Sequence, residues 1–266
     1  MIASWDTDWE MARACLAWQV EMGADEAICD APVNRYALES VPQPRANSKS
    51  APESTTRAAD RPAADPVQDA LKMAAASDDL AGLEAAMLAF PHCELRQGAR
   101  NLVFSDGQPN ARIMIIGEAP GREEDLQGKP FVGEAGQLLN RMFAAIGIRR
   151  DAPDPNRALY ITNVLPWRPP QNRDPTNEER AMFRPFVLRH IALADPDIVI
   201  LMGRISASTL LGTSEGITRI RGQWHEVDGR PALPTLHPAY LLRNPAAKRD
   251  AWADLLELQA KLRTLP

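Results

Sequence analysis

Ile113-Met114-Ile115-Ile116-Gly117-Glu118-Ala119-Pro120-Gly121-Arg122-Glu123-Glu124-Asp125, followed closely by Gly128-Lys129-Pro130-Phe131-Val132-Gly133-Glu134-Ala135-Gly136, is the stretch that decides the fold. Its first four residues form an unbroken apolar run, the pattern of a strand buried on both faces. The run passes directly into a Gly/Pro turn, a loop rich in carboxylates and a new helix. In open α/β sheets ligands bind outside the carboxyl ends of the strands. Glycines at such an end let main-chain amides approach a small ligand closely. The stretch therefore predicts a binding site as well as a strand.

Working outward, strands and helices alternate. Strands are expected near 112–117, 159–165, 197–202 and 232–236, and helices near 134–146, 176–194, 204–211 and 246–263. Thr176 with Glu179 fits a capping box for the long middle helix. The alternation predicts an α/β domain: a central parallel four-stranded sheet flanked by helices in three layers, α/β/α. Upstream, 67–88 reads as helical and split near Ser77, with Ser77, Asp78 or Asp79 as cap. Three parts follow. Residues 1–39 are an N-terminal helical segment, in which Trp5, Trp9, Ala12, Leu16 and Val20 recur at helical spacing up to Gly23. Residues 40–66, rich in Pro, Ala and Ser, read as a flexible linker. Residues 67–266 form the main domain.

No apolar run approaches the roughly 18 residues needed to span a bilayer. Asp6, Asp8 and Glu10 at the N-terminus do not suit a signal peptide, and a cytoplasmic monomer is expected. Cys15, Cys29 and Cys93 are scattered and odd in number, which argues against a disulfide framework. The net charge of −5 does not by itself suggest a nucleic-acid partner. It is unevenly spread, however. Residues 1–90 hold 7 basic and 15 acidic side chains, and residues 91–266 hold 23 and 20. The main domain is mildly basic, compatible with salt-sensitive DNA binding through a local groove.

Two more segments end in the manner of the first. Leu159-Tyr160-Ile161-Thr162-Asn163-Val164-Leu165 is a strand with an amide where burial is expected. Ala232-Leu233-Pro234-Thr235-Leu236 leads into His237-Pro238-Ala239-Tyr240-Leu241-Leu242-Arg243. Gly-Glu-Ala-Pro-Gly with Pro-Phe-Val-Gly, Ile-Thr-Asn, Pro-Pro-Gln-Asn-Arg (169–173) and His-Pro-Ala-Tyr-Leu-Leu stand in order over roughly residues 90 to 262. Together they resemble the family 4 uracil-DNA glycosylases.

The resemblance implies a monofunctional enzyme of base excision repair. It would flip uracil out of DNA and hydrolyse the N-glycosidic bond, leaving an abasic site. Phe131, on a tight turn, would stack on the flipped base, although its spacing suits a core Phe equally. Asn163 offers one acceptor and two donors, which match N3–H and O4 of uracil and not the reversed pattern of cytosine. His237 would reach the uracil O2 and stabilise the charge leaving with the base. Glu118 would position or activate the attacking water. Ala119 is the small residue of this family where the best-known uracil glycosylases carry Asp. Glu124 would lie near C5 and exclude the thymine methyl, while Glu123 and Asp125 read as solvated loop charges. Asn172 would contact the sugar-phosphate or the water. Leu241, Leu242 and Arg243 would form the wedge entering the duplex, with Arg219, Arg221, Lys248 and Arg249 as further phosphate candidates.

Family 4 enzymes usually hold a [4Fe–4S] cluster on four cysteines. Motif matching puts those positions at Phe90, Cys93, Trp167 and Phe183, and one thiolate cannot hold a cubane cluster. The expectation is a protein without cofactor, in which a hydrophobic plug replaces the iron. Two other functions stay open on the sequence: a glycosylase of the same fold for hypoxanthine or xanthine, and a non-catalytic protein that binds damaged DNA.

Overall fold

The computed structural model describes residues 65–265. The helix expected over 5–23, most of the linker, Cys15 and Cys29 lie outside them. The first helix of the described residues, α1, spans Pro66–Ala75, with the Asp65 side chain accepting from the Val67 amide and Pro66 at its first turn. The helix thus takes in the end of the stretch read as linker, because Asp-Pro is a cap followed by a residue with preset φ. Helix α2, Leu80–Ala89, is capped by Asp79, whose carboxylate accepts from the Gly82 amide at 2.7 Å. Of the three caps considered, Asp79 is the one used.

The remaining elements are a short helix α3 (Leu95–Gly98), β1 (Asp106–Gly107), β2 (Ile113–Gly117), α4 (Arg122–Gln127), α5 (Glu134–Ala144), β3 (Tyr160–Asn163), α6 (Asn177–Ala194), β4 (Ile198–Met202), α7 (Arg204–Leu211), α8 (Ile217–Ile220), β5 (His225–Val227), β6 (Arg230–Thr235), α9 (Pro238–Arg243) and α10 (Lys248–Leu262). Thr176 and Glu179 form the expected reciprocal capping box at the start of α6.

The sheet corrects the sequence expectation. Its order is β1-β3-β2-β4-β6-β5, six strands and not four. The central β3-β2-β4-β6 are parallel, as expected, but β1 and β5 pair antiparallel at the two edges. Strand β5 returns into β6 through Asp228-Gly229, both at positive φ. That is the turn chemistry of a two-residue hairpin, whose twist matches the flanking strands.

Alternating side chains build the two faces. Met114, Ile116, Tyr160, Val199, Leu201 and Ala232 pack into one buried cluster with residues of α1, α2, α6 and α7. Ile113, Ile115, Ile161, Ile198, Ile200 and Leu233 pack into another with Leu139 and Phe143 of α5 and Leu255 and Leu258 of α10. The period of two along strands buried on both faces thus produces the three layers. Strand β2 sends its connection towards β3, whereas β4 sends its own towards β6. A crevice opens at the carboxyl ends where the connections diverge, and the decisive stretch lies there. No helix of the described residues is long and apolar enough to cross a membrane.

Candidate active site

A cavity of about 430 Å³ opens at the carboxyl ends of β2, β3 and β6. It is lined by Glu118, Ala119, Glu124, Phe131, Asn163, Asn172, His237 and Arg243, together with Gly121, Asp174, Tyr240 and others. Eight of the ten site residues expected from sequence therefore meet in one pocket. Leu241 and Leu242 are the exceptions.

Gly117, the last residue of β2, lies directly behind Asn163 and Phe131. A Cβ there would lie 2.3 Å from the Asn163 Oδ1 and 2.6 Å from the Phe131 ring. Only a glycine lets the amide and the ring share that surface. Asn163 is 4% exposed, yet its side chain has no hydrogen-bond partner among the described residues and faces the cavity. A buried amide left open in this way is one whose partner arrives with a ligand. Phe131 adopts φ 53°, a left-handed conformation rare for a bulky side chain. Its ring lies 5.5 Å from that of His237, tilted by 31°.

His237 caps α9: its Nδ1 accepts from the Ala239 amide at 3.2 Å. An accepting Nδ1 leaves the proton of a neutral imidazole on Nε2. Burial, and then the charge of Arg243, hold the ring pKa down at about 4, against a small opposing pull from Glu124. At neutral pH the ring is an uncharged N–H donor. Gly203 (φ +92°) follows β4 beside it, and a Cβ there would come within 3.0 Å of the His237 Cβ.

Glu118 follows Gly117 directly, with its carbonyl accepting from the Leu165 amide at 3.0 Å. Burial first, and Asp174 second, push its carboxyl up to about 6, while Arg204 and Arg180 oppose the rise. Sequence reasoning missed Asp174 and Arg204, which pair at 2.8 Å. No motif marks them, since Arg204 arrives from the next strand end. Asn172 has φ 54°, and its Oδ1 accepts from the Arg168 Nε at 2.8 Å, which aims the loop into the cavity.

Glu124 lines the cavity, and both its oxygens are engaged by main chain: Oε1 accepts from Val132 and Gly133 at 2.9 and 2.8 Å, and Oε2 from Gly121 at 3.2 Å. It staples two loops together. Asp125 is buried, not solvated, and its Oδ1 accepts from the amides of Arg100 and Asn101. Leu241 is 1% exposed and packs with Leu138, Leu236 and Ala251, so it anchors α9 and cannot enter a duplex. A six-residue helix turns one stripe inwards, which leaves its neighbours Tyr240 and Leu242 exposed. Arg221 pairs with buried Asp254 (Nε to Oδ2, 3.1 Å), leaving it no free charge for phosphate.

Against one face of the sheet, Phe90, Cys93, Trp167 and Phe183 are all buried in one cluster. Phe90 meets Phe183 edge-on at 5.7 Å and Phe186 at 5.3 Å. Burial raises the Cys93 thiol pKa.

The fold and the pocket define an α/β protein whose strand-end crevice sets an aromatic ring beside an open amide. The sequence model of the uracil DNA glycosylase superfamily matches residues 104–256. A Type-4 uracil-DNA glycosylase of Thermotoga maritima is 41% identical over 156 residues, covering 57% of this chain and 77% of that protein. One of Archaeoglobus fulgidus is 37% identical over 174 residues (62% and 84%), and one of Saccharolobus solfataricus 38% over 183 (65% and 82%). The chain belongs to the uracil-DNA glycosylase superfamily and, within it, to family 4.

Proposed function

We propose that this protein is a monofunctional uracil-DNA glycosylase and that its pocket works as follows. A uracil turned out of DNA stacks on Phe131 and pairs its N3–H and O4 with the amide of Asn163. The observation that carries this reading is the unpartnered Asn163 side chain, held against Gly117 beside the Phe131 ring. Cytosine would present a donor to the amide's donor, and the mismatch leaves buried polar groups unpaired, which costs about 1–3 kcal/mol.

As the C1′–N1 bond breaks, electron density moves onto the base. The neutral His237 donates its Nε2–H to the O2 of the departing ring, without the proton loss that an imidazolium would risk. Glu118, ionised above about pH 6, orients the water whose oxygen bonds to C1′ and takes up its proton. Its negative charge also favours the cationic sugar while the bond is open. The products are an abasic site and uracil, whose N1 anion recovers a proton as Glu118 gives up the one it took from the water. Tyr240 and Leu242, exposed next to Arg243, take the wedge role in place of Leu241.

No iron–sulfur cluster is assigned a part. Supporting this is the donor set at the matched positions, one thiol among three aromatic side chains, when a cubane needs four ligands. The edge-to-face packing of Phe90 on Phe183 is suited to filling that volume.

Purified protein incubated with uracil-containing and normal DNA tests the reading. Alkali-dependent strand breaks at uracil, and none on normal DNA, are expected. Breaks without alkali would refute the monofunctional assignment, and no breaks at all would refute catalysis.

A further inference from the structure

The Phe131 ring can serve as a stacking platform only if its loop holds an unfavourable shape. A bulky residue at φ 53° is strained and persists only where its surroundings enforce it. Its carbonyl is also forced close to α5, where a Cβ on Gly136 would lie 1.8 Å from the Phe131 oxygen. Something must hold that oxygen in place.

Arg150 does. Its Nη2 donates to the Phe131 carbonyl at 2.8 Å and its Nη1 to the Pro130 carbonyl at 3.0 Å. Nη1 also reaches the Asp106 carboxylate at 2.9 Å, and Nε the Asn140 Oδ1 at 2.9 Å. The Arg150 side chain is 14% exposed and that of Asp106 19%. Each element of the guanidinium fork is therefore engaged, and none of its bonds serves a helix or a strand ladder. From the other side, Glu124 takes the amides of Val132 and Gly133. One cation grips the carbonyls of 130–131 and one anion the amides of 132–133.

We infer that Arg150, anchored by Asp106 and Asn140, is a positioning residue for base recognition: it fixes the Phe131 ring over Gly117 at the spacing that Asn163 requires. This inference rests on the proposed base pocket. Arg150 does not line the cavity, so its influence should fall on binding and leave the ionisation of Glu118 alone. A lysine offers one point of charge and cannot span two carbonyls and a carboxylate at once.

The test uses the full chain, single-turnover excision against DNA concentration, and calorimetric binding of free uracil. Wild-type excision and uracil binding come first; if both are absent, the pocket reading falls and not this inference. Arg150→Met is expected to raise half-saturating DNA and weaken uracil binding by about tenfold each, as for a displaced positioning group, while the acid limb of the rate near pH 6 stays in place. In a Phe131→Ala background the same change should add no more than about twofold, because residues acting through one another are non-additive. Additive effects, unchanged uracil binding, or full rescue by Arg150→Lys would each overturn the inference. Should Arg150→Met fail to fold, Asp106→Asn replaces it in the same cycle, with the same expected coupling to Phe131 and the same refutation by additivity.

Discussion

Replacing Glu118 by Gln should make the protein more stable at alkaline pH while disabling it. Burial and Asp174 lift the carboxyl from 4.5 to about 6. At about 1.4 kcal/mol per tenfold change in proton affinity, the ionised form costs the fold up to about 2 kcal/mol. Water at the pocket mouth screens part of this, which leaves about 1–2 kcal/mol. The sign follows from the raised value: the folded state holds the Glu118 proton more tightly than the unfolded chain does. Stability from this group is full below pH 4.5 and is lost as pH rises through 6. Glutamine keeps the neutral shape and cannot ionise. Glu118→Gln should therefore melt with wild type near pH 4.5 and several degrees above it at pH 8, given about 2–4 °C per kcal/mol for a domain of this size. Excision at pH 8 should fall by about one to three orders of magnitude. The wild-type rate should also drop about tenfold per pH unit below 6, a limb that Gln removes. Thermal melts at both pH values, with single-turnover excision on the same samples, read all of this. A stabilisation equal at pH 4.5 and 8 would refute the titration argument. Wild-type activity in the variant would refute the role of Glu118.

Asn163→Asp should abolish uracil excision or relax rejection of cytosine, read on matched U and C substrates; unchanged rates on both would remove Asn163 from the pocket. His237→Ala should slow base release by about ten- to a thousandfold, the loss of an oxyanion-type donor, with folding intact by circular dichroism. Leu242→Ala should weaken binding to uracil-containing duplex with little change in melting temperature, whereas Leu241→Ala should cost about 2–5 kcal/mol of stability as a core truncation; the opposite pattern would return Leu241 to the wedge. Phe183→Ala should cost about 3–5 kcal/mol in a protein that metal analysis finds free of iron; stoichiometric iron would refute the aromatic plug.

The sequence exposed the parallel strands and the pocket for one physical reason. Strands buried on both faces read as apolar runs, and each of these ends in a residue that interrupts the run: Gly117, Asn163, or His237 just past Thr235. The edge strands left fainter marks. β1 is two residues long, too short for a period of two to show. β5 pairs through His225 and Glu226, polar residues that an edge tolerates and a pattern search discards; only Asp228-Gly229 signalled its hairpin. Charge roles were legible least. Spacing cannot tell whether Glu124 meets a ligand or three main-chain amides, nor that Asp125 turns inwards to Arg100 and Asn101. The partners of both carboxylates are loop amides, which carry no side-chain signature.

That failure bears on how the site is made. The groups assigned to the base and the sugar stand just beyond strand ends and owe their positions to the rigid sheet. The one exception is Phe131, whose ring packs on the strand residues but whose backbone belongs to the loop after α4, four residues past Gln127. Its location is instead fixed by charged side chains that spend their hydrogen bonds on main chain: Glu124 on one side and Arg150 on the other. A buried charge is costly unless fully paired, and each of these takes part of its pairing from main-chain groups that the bent loop presents. The cost of burial thus falls on any alternative loop shape, and the ring is held for stacking before a base arrives. Pre-organisation of this kind lowers the ordering cost at binding. It also means that Glu124→Gln, which keeps an acceptor but halves the acceptor capacity facing three amides, should raise half-saturating DNA while leaving the pH 6 limb in place. An unaltered binding curve would show that the sheet alone, and not the charged staples, sets the geometry of the pocket.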